Sequence, residues 1–156
     1  MKGNAMLRPT AIATLISGSL DILFAMILTL IIGKRTVAEM LRGVASGPFP
    51  GATDMGTGGA VLGLGVHFAL MAIMAALFMA LVRHRPQLLD TPVRAGIAYG
   101  VVTYFVMNWL VVPLRFGTPL PPKPLSIATQ LFAHIVLVGI PFAYVALRFL
   151  RRPTIA

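Results

Sequence analysis

The stretch AIATLISGSLDILFAMILTLII, Ala11–Ile32, decides the fold. At about 1.5 Å per residue it is long enough to cross a hydrocarbon core about 30 Å thick. Its one charged residue, Asp21, sits at its middle, and the other three acidic residues, Glu39, Asp54 and Asp90, lie outside the apolar runs. A carboxylate at the centre of a membrane helix costs about 2.5–3.5 kcal/mol on insertion scales. Asp21 is therefore expected to face partners within a bundle and not lipid.

The rest of the chain supplies the bundle. Of its 156 residues, 58% are hydrophobic and 11% charged, and mean hydropathy is +0.89, outside the range of soluble domains. Three further runs match the first: Ala60–Val82, Ala95–Val112 and Leu125–Leu147, the third span being the shortest at 18 residues. Gly and Pro gather between them, in Gly47–Gly59 and Pro113–Pro124, where the backbone can leave the helix away from lipid. The expected fold is all-α, one domain, a four-helix transmembrane bundle. No internal repeat is evident, so an inverted-repeat transporter core has no support.

Charge sets the orientation. Net charge is +9, but the basic residues form short clusters beside the spans and no basic face, which points to lipid headgroups and excludes a nucleic-acid module. Both termini and Arg83–Arg94 share one side, with eight of the 13 basic residues: Lys2, Arg8, Arg83, Arg85, Arg94, Arg148, Arg151 and Arg152. Lys34, Arg35, Arg42, Arg115 and Lys123 are on the other. That bias places both termini in the cytoplasm. Lys2 and Arg8 before an apolar run also suit a signal peptide, but the run is too long and Gly33–Lys34–Arg35 offers no cleavage site. The absence of cysteine excludes disulfides, iron–sulfur clusters and thiolate zinc.

The first outer loop has a helical period. Val37, Met40, Leu41 and Val44 recur at i, i+3, i+4 and i+7, so Thr36–Ser46 is expected to be a short amphipathic helix that lies on the outer surface or caps the bundle's outer end, its apolar face toward lipid or the bundle, ended by Gly47–Pro48–Phe49–Pro50–Gly51. Gly56–Gly59 lacks the Lys-Ser/Thr of a phosphate loop.

Each span carries a stripe of small or polar residues: Thr14, Gly18, Asp21 and Ala25; Gly63, His67, Met71 and Met74; Gly96, Gly100, Tyr104 and Asn108; Gln130, His134 and Pro141. Small residues let helices approach and polar ones bond across the gap. Counted from the outer ends of these runs, Asp21 and His134 lie about 16 and 14 Å deep, His67 about 10 Å, Gln130 about 8 Å and Asn108 about 6 Å. Arg115 stands just outside. These six residues form a candidate polar funnel that opens outward and ends at Asp21 and His134, which are expected to share a hydrogen bond. Ser17 and Ser19 are expected to bond back to their own backbone.

Several uses of such a funnel stay open. Asp21 and a histidine could hold a proton between them, or bind or pass a small solute or ion. The same pair could simply fix helix register. Two histidines on different helices could ligate haem b, and His67 with Met71 or Met74 makes a soft set for Cu(I). No catalytic motif is present: there is no HExxH, no nucleophile beside its base and no carboxylate pair, so an enzyme is not the expected class. Nothing requires a cofactor. The bilayer is the first partner, with a homo-oligomer or a larger membrane complex joined through Gly/Ala faces as the accessory-subunit alternative.

From Tyr99 onward the features run in a definite order. They are Asn108–Trp109, Val112–Pro113–Leu114, Phe116–Gly117–Thr118–Pro119, Pro121–Pro122, Gln130, Phe132–Ala133–His134 and the basic tail Arg148, Arg151 and Arg152. This order resembles the YagU-like family of small bacterial inner-membrane proteins. The resemblance covers about the last third of the chain, more weakly the His67 span. It implies a multi-span bacterial inner-membrane protein of poorly defined activity, with no catalytic residues to carry over.

Overall fold

The computed structural model describes residues 4–151; Lys2 and Arg152, which enter the charge count above, lie outside the described residues. Four helices are long and apolar enough to cross a membrane: α1 (Asn4–Ile32), α3 (Gly56–His84), α4 (Pro92–Phe116) and α5 (Pro124–Leu150). A fifth, α2 (Val37–Ala45), joins α1 to α3. No strand occurs among the described residues. The chain is an all-α helical bundle of a membrane protein.

Every span is longer than its hydropathic core. Two glycines at positive φ set the ends nearest α2: Gly33 (φ 66°) closes α1 and Gly56 (φ 54°) opens α3, conformations that disfavour side chains. α4, expected to stop at Val112, runs through Pro113 to Phe116. It does so through a π turn, Val106–Val111, in which the Val112 N–H bonds the Met107 carbonyl five residues back. α5 has the same device, Ala133–Gly139, with the Ile140 N–H on the Ile135 carbonyl, directly ahead of Pro141. A proline lacks the donor for the carbonyl four residues back, and its ring crowds that carbonyl. A wider turn relieves both, and the helix continues.

α1 packs against α3 and α5, and α5 packs along α4. The α4–α5 seam is backbone against backbone. A Cβ on Gly96 would come within 2.7 Å of the Gly139 carbonyl oxygen, and one on Gly100 within 2.7 Å of Ile135 Cα. With no water to drive burial between membrane helices, such close approach is what van der Waals association requires. α3 and α4 meet through Tyr99, which stacks edge-on against Phe78 and donates its hydroxyl to the Met74 carbonyl (2.7 Å).

Two apolar cores result. One holds Phe78, Met79, Val82, Val138, Phe142 and Ala146, toward the ends remote from α2. The other holds Ile22, Met40, Leu41 and Ala60, at the α2 end. The amphipathic helix thus forms as its period predicts, and its apolar face belongs to the bundle. Thr36 caps it: the Glu39 N–H donates to the Thr36 hydroxyl (3.2 Å), and the Thr36 N–H donates to the Glu39 carboxylate (2.6 Å). Leu41 lies on Gly63 so closely that a Cβ there would reach within 2.6 Å of the Leu41 carbonyl carbon. α2 is therefore wedged against α1 and α3, and does not simply float on the surface.

Candidate functional site

Between the two cores lies a polar layer. Measured from the observed helix ends, Asp21 is about 16 Å from Ile32, His67 about 16 Å from Gly56 and His134 about 15 Å from Pro124. Sequence had placed His67 higher, because hydropathy starts its span at Ala60. The four helical residues from Gly56 lower it to the level of the other two.

The histidine that meets Asp21 is His67. Its Nδ1 is 3.9 Å from Asp21 Oδ2, and its Nε2 is 2.9 Å from the Gly18 carbonyl oxygen, one turn before Asp21 on α1. Gly18 permits this approach, for a Cβ there would strike the Phe68 ring at 2.7 Å. A carbonyl only accepts, so Nε2 carries a proton and Nδ1 is the atom turned to the carboxylate. His67 is buried, and the Asp21 side chain is 19% exposed.

His134 is buried at the same depth, but its hydrogen bond is local. Its Nδ1 donates to the Gln130 carbonyl (2.9 Å) and its ring stands edge-on to Tyr104. The expected Asp21–His134 hydrogen bond gives way to the His67 contact. Depth selected His134, but the rotation of each helix about its axis selects the partner, and His134 lies within the π turn of α5. Such turns often mark functional sites. Pro141 was the signal in the sequence for that turn, and Pro113 for its counterpart holding Asn108.

The remaining candidates divide. Asn108, half-buried, donates to the Tyr104 carbonyl of its own helix (3.3 Å). Gln130 is half-buried and serves His134 through its backbone. Arg115 is a staple: its Nε and Nη2 donate to the Gly47 and Ser46 carbonyls, at 2.6 and 2.8 Å. A cation suits those carbonyls at the end of α2, and it fixes the helix over the layer.

Two residues add to the set. Tyr104, almost fully buried, accepts from Trp109 Nε1 (3.2 Å) beside His134. Ser17, completely buried one turn from Asp21, has no hydrogen-bond partner for its Oγ. The expected return bond to the backbone is made by Thr14, Thr29, Thr103 and Thr129, not by Ser17.

A cavity of about 280 Å³ opens elsewhere, between α3 and α4, lined by Leu70, Ile73, Leu77, Val102, Val106 and Met107 among others. None of the six candidates borders it. Met74 does, on the side of α3 that faces α4. Among the described residues no three His, Cys, Asp or Glu side chains are grouped to hold a metal ion. No family model, no curated protein and no solved structure matches the chain.

Proposed function

We propose that this is a small inner-membrane protein, with both termini cytoplasmic, that holds a proton or small cation in its polar layer. One observation carries the reading: His67, its Nε2 tied to Gly18, turns Nδ1 toward Asp21 Oδ2 at 3.9 Å. With no proton between them, a lone pair faces a carboxylate in a low-dielectric interior. With two, an uncompensated positive charge sits mid-membrane. One proton, as a neutral or ionic pair, is the stable content. The separation is beyond direct hydrogen bonding, so a small closure or a bridging donor completes it. The orientation rests on the basic bias of the termini and Arg83–Arg94, and the likeness to YagU-like proteins belongs to the same proposal.

The test is the ring-nitrogen NMR titration of His67 in lipid nanodiscs. Because Nδ1 lies 3.9 Å from the Asp21 carboxylate, Asp21→Asn should change the Nδ1 signal. Identical His67 titrations in the two proteins would refute the pair.

The accessory-subunit reading draws on another feature. Gly65, Ala69 and Ala76 form an exposed small-residue face on α3, with open space around Gly65. Cross-linking from Ala69→Cys would detect a helix seated there.

A further inference from the structure

We propose that the groove between α3 and α4 is a site for one anionic phospholipid, with an acyl chain along the groove and the phosphate on Arg85 and Arg94. The site stands apart from the Asp21–His67 pair, since none of the six polar candidates borders the groove. Leu70, Ile73, Met74 and Leu77 line it from α3 at i, i+3, i+4 and i+7. Tyr99, Val102 and Val106 line it from α4 at i, i+3 and i+7. Seven residues of helix make it about 10 Å long. Ile73, Leu77 and Val102 form an open rim, 58%, 60% and 57% exposed, and the more buried Met74, Tyr99 and Thr103 form the floor.

The walls set the chemistry of the occupant. The Tyr99 hydroxyl donates to the Met74 carbonyl (2.7 Å), and the Thr103 hydroxyl faces the carbonyls of Tyr99 (3.0 Å) and Gly100 (3.1 Å). A polar group buried in the groove would find no free side-chain donor and would lose its hydration, so the segment that lies there is hydrocarbon. Width excludes a helix. About 280 Å³ spread over about 10 Å leaves a slot about 5 Å across, against about 10–12 Å for a helix with its side chains. A single hydrocarbon chain, whose carbons pack about 4 Å from their neighbours, fits, and an empty slot would forfeit those dispersion contacts.

Charge decides which lipid. Beyond Leu77 the same face of α3 continues through Leu81 to Arg85 in steps of four, with His84 seven residues from Leu77. On α4, Arg94, Ala98 and Val102 are likewise four apart. All of these side chains are exposed. Arg85 and Arg94 each stand about 12 Å along their helix from the groove rim, one on either side of the Pro86–Asp90 turn. The interfacial layer of a bilayer takes up about 5–7 Å of that distance, so a phosphate at the two guanidiniums puts the middle and end of its chain in the groove.

Among the described residues neither guanidinium is paired with a carboxylate. Arg83, Arg85 and Arg94 against Asp90 alone leave a charge of +2 over residues 83–94. Basic pockets between membrane helices at this level take anionic head groups. The opposite end suits a head group less: Leu70 is about 21 Å from Gly56. Arg42 and Arg115 at that end are bonded to backbone carbonyls.

The experiment uses the full chain in phosphatidylcholine nanodiscs doped with phosphatidylglycerol that carries a photoactivatable diazirine in the deeper half of one acyl chain. Cross-links mapped by mass spectrometry should fall on Ile73, Leu77, Val102 and Val106. Unlabelled phosphatidylglycerol should compete and phosphatidylcholine should not. Arg85→Gln and Arg94→Gln should each weaken that competition about fivefold, the scale of one basic residue at a membrane surface. Arg148→Gln, exposed at the same end of α5, should leave it unchanged. Val102→Trp, at an exposed rim position, should fill the slot and abolish labelling of Ile73 and Leu77. Equal labelling by a phosphatidylcholine analogue would mean ordinary boundary lipid, and an equal loss in Arg148→Gln would mean charge without a site; either overturns the proposal. So would cross-links from the groove to a second copy of the chain, or labelling that Val102→Trp leaves unchanged.

Discussion

Replacing Gly100 by alanine tests how the polar layer is held. A Cβ at Gly100 would lie 2.7 Å from Ile135 Cα and 2.8 Å from the His134 carbonyl carbon, where ordinary contact begins at 3.4 Å. The His134 carbonyl oxygen is nearer still, so α4 and α5 must part by at least about 0.7 Å along a seam of backbone atoms with no rotamer to yield. Overpacking of this kind costs about 1–3 kcal/mol, offset by the roughly 0.5–1 kcal/mol that alanine gains over glycine in a helix. Gly65→Ala is the control, because its Cβ would have nothing within 4 Å. It collects the helix gain alone. The difference between the two variants isolates the clash, and it should amount to about 1–3 kcal/mol, a five- to more than hundredfold change in the folding equilibrium. Reversible unfolding in mixed micelles, titrated with a denaturing detergent, measures it directly. The His134 ring signals should move in Gly100→Ala and stay in place in Gly65→Ala. Equal unfolding midpoints for the two variants would refute the backbone seam as the element that positions His134.

Other consequences follow from α2. Arg115→Ala removes both bonds to Ser46 and Gly47, so amide exchange in α2 should quicken about tenfold while α3 keeps its protection. Glu39 accepts the Thr36 N–H and hydroxyl, which hold its carboxyl below the usual value of 4.5. A lowered folded-state pKa means that the cap's support is present above 4.5 and lost as pH falls through the folded value. Exchange in α2 should rise in that acid window in wild type, and Glu39→Gln should abolish the dependence. Thr36→Ala should cost about 0.5–2 kcal/mol of α2 stability at neutral pH, read from the same exchange data. Reporter fusions after Ala156 and within Pro86–Asp90 should both report cytoplasm; a periplasmic signal from either would invert the orientation.

What the sequence determined by itself was everything that depends on local free energy. Transfer of apolar side chains from water to lipid sums along the chain, so four spans are legible without any contact being known. The period of Val37, Met40, Leu41 and Val44 likewise fixes an amphipathic helix, and the mid-span position of Asp21 demands an inward face. The tertiary structure decided how the helices are rotated and staggered against one another. Depth alone made His134 the partner of Asp21. The observed partner is His67, because Gly18 lets its imidazole reach the α1 backbone and the extra turn from Gly56 lowers it to that level. The π turns before Pro113 and Pro141 shift the phase of α4 and α5 in a way that a uniform helical period does not express. That Ser17 is left without a partner while neighbouring threonines bond back, and that Arg115 pins α2 over the layer, depend on atoms brought together from distant parts of the chain. Hydropathy and periodicity are sums over one segment. The phase between segments is set by where backbones can touch, and glycine contacts such as Gly100 on Ile135 exist only after the bundle has closed.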